Sequence, residues 1–209
     1  MAIRLYDYFR SSAAYRVRIA LNLKGLDYER VPIDLREGTQ RGEDYRARNP
    51  QGLVPMLEID GATLTQSLAI IEYLDARFPD PALLPQDDAE RARVRAMALL
   101  VACDIHPLNN LRVLQYLKQE LGHEQDVIDA WIRHWIGEGF AALETIARHR
   151  ATPFLSGDRP GLADICLIPQ MYNARRFDTP LGAFPTLVAA DAAATRLDAF
   201  AAAQPEQAA

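Results

Sequence analysis

Ile3 and Leu5 alternate with Arg4 and Tyr6 at the head of the chain, the two-residue period of a strand with two distinct faces. The period then lengthens. Ala13, Ala14, Val17, Ala20 and Leu21 share one helical stripe, which Lys24-Gly25 closes. A second strand is predicted over Tyr28 to Ile33, followed by a polar segment through Asn49 that holds a short helix around Asp44 to Arg48. Pro55 to Ile59 and Ala62 to Thr65 read as two strands joined at Asp60-Gly61, a favoured pair for a tight hairpin turn. Ser67 is expected to cap a helix carrying Leu68, Ile71 and Leu74, which Pro79 stops.

Strand, helix, strand, helix, strand, strand, helix is the thioredoxin-like order, a small mixed sheet with helices on its faces. After the proline-rich connector Pro79 to Pro85 no strand pattern follows. Helical patterns run from Asp88 to about Gly122, from Glu124 to about Arg150, from Gly161 to Phe177 and from Leu187 to Ala202. The expectation is therefore an α/β domain over 1–80 and an all-α domain over 88–209, with the Ala/Gln-rich tail after Phe200 frayed.

With 49% hydrophobic residues among 209, the chain can bury a core of ordinary size. A net charge of −5 argues against a general nucleic-acid or acidic-membrane surface. Cys103 and Cys166 lie far apart in apolar helical contexts, so they are expected as buried free thiols rather than a disulfide or a metal site. The start MAIRLYDYF lacks a signal-peptide run and no segment reaches about 18 uncharged apolar residues, so a cytoplasmic protein is expected, without a membrane partner.

Candidate chemistry begins where the first strand meets the first helix. Arg10, Ser11 and Ser12 place a guanidinium and two hydroxyls at a helix start, where unpartnered amides and the macrodipole favour an anion. Val54-Pro55 precedes a strand and is expected to leave Val54 backbone groups free at a sheet edge for an extended peptide, although a plain loop-to-strand transition also accounts for it. Gln66-Ser67 suits a carboxylate at a helix start or a simple N-cap. Pro107 interrupts a helical pattern and gathers His106, Asn110 and Arg112 near a distorted turn; none has metal spacing. Arg175-Arg176 reads equally as compensation of a helix dipole or as a carboxylate clamp, and Trp131 and Trp135 read as core.

Taken in order, Arg10-Ser-Ser-Ala-Ala-Tyr-Arg-Val-Arg-Ile-Ala-Leu, Val54-Pro55, Gln66-Ser67-Leu-Ala-Ile-Ile-Glu-Tyr-Leu, Asp104-Ile-His-Pro-Leu-Asn-Asn and Ala163-Asp164 resemble the zeta class of glutathione transferases, with its maleylacetoacetate and maleylpyruvate isomerases. The resemblance implies the glutathione transferase fold, a homodimer, and glutathione as cofactor. It implies cis-trans isomerisation of maleylacetoacetate in tyrosine and phenylalanine catabolism, by thiolate addition, bond rotation and elimination. Maleylpyruvate isomerisation, general transferase activity and non-enzymatic glutathione binding are the alternatives. Ser11, Ser12 and Ala13 would hold the thiolate and Val54 the cysteinyl backbone across a cis bond to Pro55. Gln66 and Ser67 would take the γ-glutamyl end, Gln40, His106 and Asn110 would add contacts, and Arg10, Arg112 and Arg176 would bind the diacid. Two departures stand out. Ala13 and Ala14 replace the family's frequent Cys-Ser, which excludes a protein thiol there. Gly161 stands where a Ser or Thr cap is usual, for an expected cost within about 1 kcal/mol.

Overall fold

β1 (Ile3–Asp7) sits inside a four-stranded sheet of order β2-β1-β3-β4. β2 (Glu29–Pro32) runs parallel to it, β3 (Met56–Ile59) antiparallel to it, and β4 (Ala62–Thr65) antiparallel to β3. The register sets Ile3 against Ile59 and Leu5 against Leu57, so four apolar side chains share one face. Alternation puts Asp7 on that face as well, and Tyr6 with Met56 on the other. Asp60 and Gly61 both carry positive φ, 49° and 80°, as the predicted hairpin turn requires.

α1 (Ser12–Leu23) and α3 (Ser67–Arg77) pack against each other, and Tyr45 of α2 (Glu43–Arg48) joins Tyr6, Ile33 and Met56. The computed structural model describes residues 2–208, which divide into one unit of 2–82 with 196–208 and another of 83–195.

The second unit is helical: α4 (Asp88–Leu99), α5 (Leu111–Gln119), α6 (Gln125–Ala147), α7 (Leu162–Arg176) and α8 (Pro185–Ala194). The long pattern expected from Asp88 to about Gly122 is broken into α4, a π turn at Leu100–Ile105, a 3₁₀ turn at His106–Asn109 and α5. Pro107 removes a donor there, and the break's carbonyls find side-chain partners: Asn109 Nδ2 donates to Ile105 O at 3.1 Å and Trp131 Nε1 to Leu108 O at 2.7 Å. Trp131 and Trp135 are half-buried, not fully in the core. Cys166 is buried in α7 as expected, but Cys103 is exposed, because Val101 and Ile105 take the inward side of the π turn. Among the described residues no helix is long and apolar enough to cross a membrane.

The start of α7 corrects the expectation of a missing cap. Ser156 Oγ accepts the Ala163 amide at 3.2 Å, so a hydroxyl five residues upstream does what a side chain at Gly161 would have done. Asp164, fully buried, accepts Leu155, Ser156 and Gly161 amides at 2.7, 3.1 and 3.0 Å. Burial pushes its carboxyl up, and those donors pull it down.

The last helical stretch also divides, into α8 and α9 (Asp198–Ala201). The tail does not fray over its described length. Residues from Arg196 onward belong with the sheet unit rather than with the 88–209 segment in which the sequence placed them. Ala203 and Ala208 are buried, and Asn22 Nδ2 donates to Ala199 O at 2.9 Å. Tail carbonyls meet one buried and one half-buried donor of the sheet unit: Arg18 Nε donates to Ala203 O at 2.9 Å and Arg30 Nη2 to Ala208 O at 2.5 Å.

Candidate functional site

In the sheet unit the strand-to-helix junction is a tight turn, in which Tyr8 O accepts the Ser11 amide at 2.8 Å. Ser11 is the N-cap of α1: its Oγ accepts the Ala14 amide at 3.2 Å and its carbonyl accepts Tyr15 N–H at 2.8 Å. The first-turn amides of Ser12 and Ala13 have no partner within helix geometry. The Ser11 hydroxyl, having accepted one bond, still carries its own proton to donate. Three donors at the positive end of a helix dipole suit an anion. Beside them Arg10 is half-buried, 4.9 Å over the Phe9 ring, with Nη2 donating to Tyr8 OH at 3.3 Å and a buried Nε that has no partner.

The loop before β3 corrects the expectation of a sheet edge at Val54. β3 is paired on both sides, and its ladder begins at Met56, two residues past Val54. The Val54-Pro55 bond is cis, as is Asp80-Pro81. Val54 is set by its neighbour: Leu53 O accepts Tyr45 OH at 2.7 Å and Asn49 Nδ2 at 2.6 Å. Burial pushes the Tyr45 phenol up to about 12, so it remains a donor. Asn49, 1% exposed, also accepts Gln51 N–H through Oδ1 at 3.2 Å. Gly52 has φ +61, and a Cβ there would sit 2.9 Å from Gln40 O, so this loop lies directly on the turn that carries Gln40. Gln40 itself is buried, with an Oε1 that has no partner. Gln51 Oε1 accepts Gln66 Nε2 at 2.7 Å, tying the same loop to the start of α3.

Ser67 is not the cap of α3. Gln66 is, at φ 68°, without a side-chain capping bond, and Ser67 is the first helical residue, its Oγ accepting Arg16 Nη1 at 3.3 Å. A positive φ on a non-glycine residue is strained backbone, and here it precedes first-turn amides that no side chain caps. In this unit the fold thus draws Gln40, Val54, Pro55, Gln66 and Ser67 around one loop. Arg10, Ser11, Ser12 and Ala13 sit at the junction of β1 and α1.

In the helical unit His106 opens the 3₁₀ turn at Pro107, and Asn110 caps α5, its Oδ1 accepting the Arg112 amide at 3.2 Å. Arg112 is exposed on the first turn of α5. Arg176 ends α7, exposed and 4.9 Å over the Phe177 ring. Its neighbour Arg175 pairs with Asp191 of α8 and so acts in packing. Among the described residues no group of His, Cys, Asp and Glu is arranged to hold a metal.

Sequence reasoning missed Tyr45 and Asn49, which act through a backbone carbonyl, and the fully buried Asp7 and Arg18. An asparagine ending a short helix before a proline signals a turn, but not which carbonyl it holds.

Residues 1–76 match the family model of the glutathione S-transferase N-terminal domain, and residues 129–203 that of the C-terminal domain. The chain is 52% identical over 205 residues to a maleylacetoacetate isomerase of Rhizobium meliloti, covering 98% of this chain and 96% of that one. A solved holo structure of a maleyl pyruvate isomerase, a bacterial glutathione S-transferase of the zeta class, aligns with TM-score 0.96 at 45% identity, covering 98% and 97%. A maleylacetoacetate isomerase of Methylobacterium extorquens, solved with malonate and glutathione bound, aligns with TM-score 0.94 at 41% identity, again covering 98% and 97%. With both halves matched and identity near one half along the whole length, the chain belongs to the glutathione S-transferase family, in its zeta class.

Proposed function

We propose that this protein is a glutathione-dependent maleylacetoacetate isomerase, converting maleylacetoacetate to fumarylacetoacetate in tyrosine and phenylalanine catabolism, as a cytoplasmic homodimer. The observation that carries the reading is the first turn of α1, where the Ser11 hydroxyl and the Ser12 and Ala13 amides form a donor set for an anion without any cysteine.

The residues fit glutathione on physical grounds. The buried, unpartnered Gln40 Oε1 calls for a donor, the Gln66 φ of 68° precedes uncapped amides suited to a carboxylate, and Val54 lies outside the strand ladder, available to an extended backbone. Bound there, glutathione supplies a thiolate, the nucleophile whose reversible addition frees the cis double bond to rotate. Ser11, with the Ser12 and Ala13 amides, holds the sulfur as an anion; a thiol ordinarily near 8.5 falls to roughly 3.5–7.5 at such helix starts. Val54 pairs with the cysteinyl backbone, Pro55 fixes the turn, Gln66 and Ser67 bind the γ-glutamyl end, and His106 and Asn110 add contacts. Arg10, Arg112 and Arg176 take the carboxylates of the diacid, for which a planar guanidinium is the matching partner, and oppose charge developing beside them.

The test is a spectrophotometric isomerisation assay with glutathione. Ser11→Ala and Arg176→Ala are each expected to slow turnover at least about tenfold; wild-type rates in both would sink the site assignment. Maleylpyruvate is the second reading, favoured by the 0.96 TM-score to a maleyl pyruvate isomerase. Comparing kcat/KM for the two diacids decides between them.

A further inference from the structure

Arg18 of α1 is 1% exposed, yet each arm of its guanidinium has a partner. Nη1 donates to Asp7 Oδ1 at 2.6 Å, Nε to Ala203 O at 2.9 Å and Nη2 to Phe9 O at 2.9 Å. Asp7 gives its other oxygen to Arg30 Nε at 2.9 Å, and Arg30 Nη2 reaches Ala208 O at 2.5 Å. The C-terminal segment and the end of β1 therefore meet on one buried cation. Phe9 and Arg10 are the two corners of the Tyr8–Ser11 turn, and neither has a positive φ. Flipping the peptide between them, which would give a type II turn, requires positive φ at Arg10 and carries Phe9 O away from Arg18. The Arg18 bond therefore fixes the plane from which Arg10 and Ser11 project.

We propose that Arg18 is a positioning residue for the Arg10-Ser11-Ser12 junction and that the docked segment through Ala203 and Ala208 holds it in place. This rests on the glutathione site proposed above. Lysine would keep the charge beside Asp7 but lacks the planar fork that reaches both carbonyls at once.

The experiment compares full-length wild type with Arg18→Lys and Arg30→Gln, first by amide hydrogen exchange without ligand, then by glutathione kinetics and the ultraviolet titration of the bound thiol. Arg18→Lys is expected to speed exchange of the Ser11 amide at least tenfold, to raise KM for glutathione more than it lowers kcat, and to raise the thiol pKa by about one unit. Arg30→Gln, which removes the bonds to Ala208 O and Asp7 Oδ2 but leaves Arg18 its own three partners, is expected to have a smaller effect of the same kind. Wild-type exchange at Ser11 and an unmoved thiol titration in a folded Arg18→Lys protein overturn the proposal. If Arg18→Lys does not fold, Arg30→Gln decides by the same two readouts. Failure of the wild-type protein to bind glutathione would instead remove the functional reading, leaving the exchange result to decide the role of Arg18.

Discussion

Gly161→Ser reverses sign between a sequence argument and a structural one. At an N-cap, serine in place of glycine gains a few tenths of a kcal/mol through its hydroxyl. Restricting the unfolded chain adds roughly 0.4–1 kcal/mol. In the fold, however, a Cβ at Gly161 would lie 2.5 Å from Leu83 O, 2.9 Å from Ser156 Cβ and 3.0 Å from Ser156 Oγ. Neither neighbour is a free end. Leu83 O accepts Leu162 N–H at 2.8 Å, and Ser156 Oγ accepts Ala163 N–H at 3.2 Å, so retreat breaks the bonds that start α7. Overpacking of this kind costs typically 1–3 kcal/mol, and a buried amide left without a partner costs about 1–3 kcal/mol more. The net expectation is destabilisation by about 2 kcal/mol, or roughly 4–8 °C in Tm for a chain of this size. Urea denaturation followed by circular dichroism measures it, with Ser156→Ala as the companion variant, expected to lose about 1 kcal/mol. A midpoint for Gly161→Ser at or above wild type would refute the reasoning. It would mean that the Leu83 backbone yields freely and that glycine is there only for want of a better cap.

Asn49→Asp places a carboxylate where Leu53 O now receives a donor at 2.6 Å, and it is expected to weaken glutathione binding about tenfold through Val54. Calorimetry giving an unchanged Kd would sever Leu53 from the site. Asp34, gripped by the Arg36 side chain at 2.6 Å and the Arg36 amide at 2.8 Å, is expected to titrate at about 2 by carboxyl NMR. Arg36→Ala should return it toward about 3.9, and equal values in both proteins would count against the bonds seen here. Asp191 moves in the opposite direction. Burial raises its folded pKa over the lowering by Arg175, so the native state holds the proton more tightly. That contribution to stability is present below the unfolded pKa and is lost as pH rises through the folded one. Asp191→Asn should therefore flatten the fall in urea midpoint from about pH 4 upward, and an unaltered slope would place the titration elsewhere.

Element order was legible because the apolar period changes where the backbone does. Ile3 to Leu5 alternate over a strand with one face on the core, and the change to helical spacing at Ala13 marks α1. Ser11 was legible as well, since a hydroxyl before an apolar helix has few other local uses. The Gln66 cap was not. Its positive φ is imposed by the turn out of β4, and a glutamine advertises no such conformation. The edge reading of Val54 failed because a proline says that one ladder bond is missing, not on how many sides the following strand is paired.

Arg16 and Arg18 show where one-dimensional patterning stops. Both stand outside the apolar stripe of Ala13, Ala14, Val17, Ala20 and Leu21, yet they are 2% and 1% exposed. A buried guanidinium is costly unless it is paired and hydrogen-bonded. For Arg18 one partner is eleven residues away in β1 and another is 185 residues away in a tail whose alanines carry no pattern at all. Composition marked that tail as frayed because it judged side chains, whereas the tail bonds through its carbonyls, which every residue possesses. Arg18, which donates to Phe9 O in the Tyr8–Ser11 turn at 2.9 Å, thus finds another of its acceptors at the far end of the chain, in a group that hydrophobic periodicity does not see.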